Sequence, residues 1–486
     1  MKKIVSVLSV AALTLSAVFA ADVSLSYRLG GSLYSETNSK QVDTTTGAKT
    51  VEQERKALDL EGYGDSGKGD LKFTANNDFA GFVLKVNVDD QGFTTDNVGE
   101  YYGWLNFSNI QLTTGKWDSR YVGRLDMHSG EWEGNEFERY KPGVINGKYA
   151  NDIDNLTKVR YTKTDSNGKT SDAWEQRLAT AVAYTLHKDE DNALMVKGVL
   201  VDNDWGSTLR MDNDRWSLAN ANSKTYDKIG NGDFSFFSGF AGEFAYKTAG
   251  FDFNLAAKSM KRNELGLGAF FRTIGESSSL LFGLSAGFDL SDKKDAVSVS
   301  KTVTIPSIGT QTVQDTADYA HNYREFAFDF RGHFELSDEL CLTTMNNISV
   351  TNQAKVKDQK WEDMDFFLWD MVSLGYKVNE KLFAQFTVES ECNLLKIHAN
   401  HLDPKTGKPT NDSDGNELDG PFSQGGFTLT VTPGVVYSIS ENATITAGVA
   451  LEWYNIGASP VKQDALYATM TKTSKIQIPV VFKVSL

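Results

Sequence analysis

Two histidines three residues apart, His398 and His401, with Asp403 just beyond, come closest in this sequence to metal-ligand spacing. A metal centre needs further strong donors held by folded structure. The chain has only six histidines, no third lies nearby, and Pro404 and Gly407 mark the stretch as a loop. No metal site is expected there. Asp412-Ser-Asp-Gly-Asn-Glu-Leu-Asp419 has the oxygen-rich look of a calcium loop, but Glu417 occupies the sixth position, where such a loop needs glycine. Loose calcium binding by these carboxylates stays open. Asp329 and His333 share one face of an extended run, yet four residues of strand hold them about 13 Å apart, too far to pair. No serine–base pair, catalytic carboxylate pair or phosphate-binding glycine loop stands out. Neither an enzyme nor a cofactor is expected.

What remains is charge, and it depends on the elements that place it. Among 486 residues there are 49 Lys+Arg and 64 Asp+Glu, a net charge of −15. That balance argues against nucleic acid as a partner. A 12% aromatic content argues against disorder. Beyond the first twenty or so residues no apolar run is long enough for a membrane helix. A membrane β-barrel is invisible to such averages, because its lipid face uses only every second residue. Residues 1–20 read as a signal peptide: Lys2 and Lys3, an apolar stretch from Ile4 to Val18, and Ala20 before the mature chain.

The mature chain alternates with period two, again and again. Phe251, Phe253, Leu255 and Ala257 oppose Asp252, Asn254 and Lys258; Phe326, Phe328, Phe330 and Phe334 oppose Ala327, Asp329, Arg331 and His333. Runs of this kind are longer than the usual five or six residues of a sandwich strand and suit a tilted crossing of a bilayer. Leu336-Ser-Asp-Glu-Leu340, Val378-Asn-Glu-Lys-Leu382 and Ile439-Ser-Glu-Asn-Ala443 share one turn form. Between such turns lie long polar segments, 203–233, 291–321, 394–424 and 454–471. Short turns alternating with long loops predict an all-β, transmembrane antiparallel β-barrel. The strands are predicted near 23–34, 55–76, 79–88, 99–107, 110–117, 177–187, 193–202, 234–247, 250–260, 264–274, 279–290, 322–336, 340–351, 365–378, 382–393, 425–439, 443–453 and 473–486, about eighteen in all. Residues 156–163 form either a loop hairpin or a strand, which leaves sixteen or twenty open.

Two segments carry a resemblance. Ile476, Ile478, Val480, Phe482, Val484 and Leu486 alternate to the end of the chain, which is similar to the signal that hands bacterial outer-membrane barrels to their assembly machinery, although that signal mostly ends in Phe. Glu100-Tyr-Tyr-Gly-Trp-Leu-Asn-Phe107, a Ser108-Asn109 turn and Ile110-Gln-Leu-Thr-Thr-Gly-Lys-Trp-Asp118 resemble the porin hairpin that leads into the third loop, with Lys116 where porins have Arg. The resemblance implies a porin-like barrel over residues 21–486, in the outer membrane of a Gram-negative cell, whose third loop, near 118–155, folds inward. It implies lipid, the assembly machinery and small solutes as partners, and, by class analogy, a homotrimer.

Parity then assigns the pore-lining candidates: Arg28, Lys85, Glu243, Lys247, Asp252, Lys258, Arg272, Asp329, Arg331, His333, Glu389 and Glu391. The third loop is acid-rich, with Asp118, Asp126, Glu131, Glu133, Glu136, Glu138, Asp152 and Asp154 against Arg120, Arg124, Arg139, Lys141 and Lys148. If it narrows the pore, cations are favoured. Tyr102, Trp104, Trp117, Trp369, Tyr376, Tyr437, Trp453 and Tyr454 are candidates for interfacial aromatic girdles. Cys341 and Cys392 are expected at opposite heights, too far apart for a disulfide. The functional expectation is passive diffusion of small hydrophilic solutes. Selective uptake of sugars or hydrophobic compounds, and a surface adhesin or structural envelope protein, are the alternatives.

Overall fold

The computed structural model describes residues 20–43, 46–59, 68–88, 98–119, 153, 155–164, 170–189, 192–201, 209–212, 215–218, 240–259, 264–275, 277–289, 294–305, 309–320, 324–352, 355–356, 364–393, 427–457 and 470–486. In extended chain, alternate side chains face opposite ways, and antiparallel pairing carries that parity from strand to strand. The wall strands are β1 (Ala20–Val42), β2 (Lys49–Asp59 and Lys68–Asn76), β3 (Ala80–Val88), β4 (Val98–Phe107), β5 (Ile110–Lys116) and β6 (Leu178–Lys188). They continue as β7 (Ala193–Val201), β8 (Phe240–Lys247), β9 (Phe251–Ser259), β10 (Glu264–Ile274), β11 (Ser278–Asp289) and β12 (Arg324–Glu335). The remainder are β13 (Leu340–Asn352), β14 (Met364–Asn379), β15 (Leu382–Asn393), β16 (Phe427–Ser440), β17 (Ala443–Gly448 and Ala450–Ile456) and β18 (Thr471–Ser485).

Both segments of β2 pair with β1, the first with its far half and the second with its near half. Both segments of β17, interrupted at Val449, pair with β16 and β18. Each strand runs antiparallel to the next, and β18 pairs with β1 from Ser26↔Ser485 to Lys40↔Thr471. The sheet thus closes as an eighteen-stranded barrel. Closure removes the unpaired edges that hydrocarbon does not tolerate. Leu25 and Leu486 complete it with two backbone hydrogen bonds of 2.8 and 2.7 Å. The ambiguous stretch is a loop hairpin: Lys158–Thr164 pairs with Thr170–Gln176 in a separate two-stranded sheet.

The turns at the end of the barrel holding Ala20 and Leu486 are short, and side-chain oxygens hold them. Asn379 Oδ1 accepts from the amides of Lys381 and Leu382 at 2.9 and 3.0 Å. Ser337 Oγ accepts from Glu339 and Leu340 at 3.2 and 3.1 Å, and Asn77 Oδ1 from Phe79 and Ala80 at 2.9 and 2.8 Å. Long connections lie at the other end. One contains the hairpin Lys294–Ile305 with Gly309–Ala320, whose second arm pairs with Lys355–Val356 from the next connection.

The two faces differ sharply. Leu25, Leu29, Leu105, Phe107, Val182, Tyr184, Leu255, Phe282, Leu284, Phe326, Leu374 and Phe386 project outward and are exposed. Their neighbours one residue along face inward and are mostly small, polar or charged, Trp104 and Leu281 being the large apolar exceptions. A soluble protein does not cover itself with a continuous apolar belt; a lipid-facing barrel does. Eighteen strands spaced about 4.8 Å and tilted about 40° enclose a cylinder roughly 35 Å across, too wide for wall side chains to fill.

Candidate functional site in the barrel interior

Register partners share a face, so the inner wall can be read along rows that cross the strands. One row runs Lys247, Asp252, Arg272, Leu281, Arg331, Met345, Met371, Glu389, Thr430, Glu452 and Lys475, spanning β8 to β18. Acid and base stand as direct partners at Asp252↔Arg272 and Glu452↔Lys475. A second row, nearer the short turns, is neutral: Thr343, Ser373, Thr387, Thr432, Ala450 and Gln477. Within it Ser373 and Thr387 share a 2.6 Å hydrogen bond.

All twelve pore-lining candidates fall on inward parity. Arg28 is the register partner of Lys483, and Lys85 forms an ion pair with Asp70 at 3.0 Å. Glu243 meets Lys197 at 3.5 Å. Asp329 accepts from Asn347 Nδ2 at 3.2 Å and lies 3.9 Å from Arg331. His333 engages Thr343 through Nδ1 at 3.0 Å, so Asp329 and His333 have different partners. Many of these groups are screened: Lys258 and Arg331 are 1% exposed and Glu389 4%. Basic and acidic side chains interleave along the wall, so the wall alone does not set one sign of potential.

Part of this screening comes from a segment inside the third long connection, just before the loop hairpin. Ile153 and Leu156 are fully buried against Ala179, Ala181, Val199, Ala241 and Ala256, wall residues small enough to receive them. Opposite Ile153 the wall has Gly268, where a Cβ would come 2.7 Å from Ile153 Cγ2. Lys258 Nζ donates to the carbonyls of Asn155 and Lys158 at 3.0 and 3.3 Å. Thr157 Oγ1 donates to the Trp117 carbonyl at 2.5 Å, and its amide donates to Ser119 Oγ at 3.1 Å. The start of the connection is thereby tied to the residues just before the loop hairpin. Of the acidic loop candidates only Asp118 belongs to the described residues; Asp126, Glu131, Glu133, Glu136, Glu138, Asp152 and Asp154 lie outside them. His398, His401, Asp403, the 412–419 run and residues 1–19 also lie outside.

The Gly115-Lys116 pair has a physical reason. Gly115 has φ +134°, and a Cβ there would stand 2.2 Å from the Tyr101 carbonyl oxygen. Only glycine fits that backbone, and just beyond it Trp117 is buried beside Tyr102, ring centres 5.9 Å apart.

The girdle expectation needs correction. Tyr102 is the register partner of Val83 and Gly115, Trp104 of Gly81 and Thr113, and Trp369 of Asn347 and Glu391. All three face inward, as does Trp117, because register rather than residue type sets the face. Tyr454 directs its hydroxyl to the carboxylate of the inward Glu452. Tyr376, Tyr437 and Trp453 are exposed on the outer face. Missed by the sequence reading were Glu325, Gln385, Asn347 and Glu452. Glu325 lies two residues from Ala327 and Gln385 four from Glu389, so the same parity could have found them. Ile153 and Leu156 carried no such signal. The cysteines stand apart: Cys341 pairs with Gly375 and Cys392 with Leu368, seven residues along β14, about 23 Å.

The terminal residues Ile478, Val480, Phe482 and Val484 are on the outward parity of β18, opposite Tyr34, Gly31, Leu29 and Tyr27, and Leu486 is exposed beside Leu25.

No family model matches the chain, and no curated protein matches it. Among solved structures it is similar to the anion-selective porin from Comamonas acidovorans (TM-score 0.40, 10% identity, 96% of this chain and 100% of that one). It is similar also to OmpT, an outer membrane protein of Vibrio cholerae (0.37, 13%, 96% and 98%), and to the outer membrane channel DcaP of Acinetobacter baumannii (0.35, 10%, 96% and 98%). The chain's own closed wall, apolar outside and polar within, makes it a transmembrane β-barrel.

Proposed function

We propose that this barrel is a porin, a channel through which small hydrophilic solutes and ions cross the outer membrane by diffusion. The supporting observation is the opposition of faces on an eighteen-stranded wall: Leu284 outward and 58% exposed, Ser285 beside it inward, and the same alternation on strand after strand. A wall too wide to be filled by its own side chains, yet lined with charge, is suited to holding water. The passage narrows where Ile153 and Leu156 are seated on the wall and Lys258 is screened. Since the wall carries both signs, ionic preference rests on the acidic third loop, and cations are favoured.

Purified protein in a planar bilayer tests this directly. Stepwise ion currents are expected, with reversal potentials in a salt gradient shifted toward the cation. Absence of current in protein of native fold would refute the channel, and anion preference would refute the role given to the loop. Liposome swelling with a graded solute series separates a general pore from selective uptake.

A further inference from the structure

We propose that the outer face of β13 to β15 is an interface with a second copy of this chain within the membrane, centred on Asp370. The inference goes beyond the channel reading, because it concerns the lipid side of the wall. Asp370 stands on outward parity in β14 with Val372, Leu374 and Tyr376, all exposed on that strand. Its register partners are Asn346 on β13 and Ser390 on β15. The same outward row continues to Phe330 on one side and Leu429 on the other. Asn346 Nδ2 donates to Asp370 Oδ1 at 2.5 Å, and Asn346, Asp370 and Ser390 are half-buried. Thr344, one step along the outward face of β13, adds a hydroxyl. A polar centre with an apolar rim therefore sits on the hydrocarbon side.

Depth makes that placement costly. From Tyr376 to Asp370 the tilted strand climbs roughly 15 Å, and the apolar band of such a barrel is about 25 Å tall. Leu368 on β14 and Ile348 on β13, register partners on the same face, continue the band beyond the patch. Acyl chains carry no hydrogen-bond donor, so a carboxylate held against them loses hydration without replacement. Ionisable groups at this depth seldom face lipid and mark function where they occur. Asn346 serves Oδ1 alone. A second copy supplies the rest, because the patch is self-complementary. The second amide hydrogen of Asn346 and the hydroxyls of Ser390 and Thr344 are donors, and Asp370 Oδ2 is an acceptor. About a symmetry axis through the patch, donors of one copy meet the carboxylate of the next. Hydrogen bonds between polar side chains join membrane segments where hydrophobicity gives no drive. An anionic headgroup is repelled by Asp370 and belongs above the band, not within it.

The test uses full-length protein, labelled in separate batches with donor and acceptor dyes, in phosphatidylcholine vesicles. Energy transfer between copies should rise saturably with the protein-to-lipid ratio. Asp370→Leu should keep its folded electrophoretic mobility and associate at least about tenfold more weakly, the factor for one lost hydrogen bond to a charged group. Asp370→Asn, which retains an acceptor, should fall between the two. In a Cys392→Ala background, Ser390→Cys should cross-link between copies on oxidation, whereas Val182→Cys, exposed across the barrel on β6, should not. Association unchanged by Asp370→Leu, or cross-linking through Val182→Cys and not Ser390→Cys, would place the contact elsewhere and overturn the proposal. A parent that stays monomeric at every ratio would overturn it too, leaving Asp370 to a different protein. Association through this face by a barrel that carries no current would overturn the porin reading and leave the interface standing.

Discussion

Replacing Lys258 by methionine removes the tie between the wall and the 155–158 stretch of the third connection while preserving most of the buried stem. In the parent the ammonium donates to two carbonyls, at 3.0 Å to Asn155 and 3.3 Å to Lys158. Hydrogen bonds from a charged group contribute about 1.5–3 kcal/mol each. Against them stands the cost of keeping an ammonium away from water, on the order of several kcal/mol, which methionine no longer bears. The two carbonyls left without the donor restore part of the loss, at about 1–3 kcal/mol each. The net weakening of the seat is about 1–3 kcal/mol, which raises the unseated population about 5- to 150-fold. Single-channel recording reads this as frequent excursions to a different conductance level. Gly268→Leu attacks the same seat from the wall side, since its Cβ would begin 2.7 Å from Ile153 Cγ2, and should produce excursions of the same kind. If Lys258→Met folds and its current traces match the parent's in level and noise, the 153–157 segment is not held by this lysine and the reasoning fails.

Leu284→Arg places a charge on the lipid face and should lower stability by about 2–4 kcal/mol, whereas Ser285→Arg, one residue along and inward, should cost far less; urea titration of folding into vesicles compares them, and equal losses would reverse the assigned faces. Gly115→Ala forces a side chain onto a positive-φ residue with backbone in the way and should cost about 1–3 kcal/mol or more, measured by the same titration. At the far end of β1, hydrogen bonds from Tyr34 (2.7 Å), Arg55 (2.9 Å) and Gln53 (2.6 Å) reach Glu36. Glu36→Ala removes the acceptor of all three bonds, and spin labels at the register partners Ser39 and Glu52 should report fraying in the variant and not in the parent. Equal order in both would assign the hold on this end of β1 to other contacts.

Much of the barrel was legible because parity is local. A residue's face in a strand follows from its distance to the next residue, so Phe326 through His333 declared both sides of β12 without knowledge of any neighbour. The turns at Ser337, Asn379 and Ser440 were legible for the same reason: each oxygen satisfies amides two or three residues on. Aromatic girdles were only half legible. Tyr102 and Trp369 have the residue type of an interface anchor, but cross-strand register turned them inward.

The sequence by itself determined what depends on near neighbours: the strand runs, their two faces, the turn chemistry, and thus a barrel of about eighteen strands with Arg28, Lys258, Arg331 and Glu389 on the inside. The tertiary structure alone decided what depends on residues distant in the chain. It placed 156–164 in a loop, seated Ile153 and Leu156 on an alanine wall opposite Gly268, tied Lys258 to Asn155, and set Gln385 between glycines from neighbouring strands. Such contacts join segments dozens of residues apart, and no spacing along the chain encodes which row of the wall a distant residue will meet.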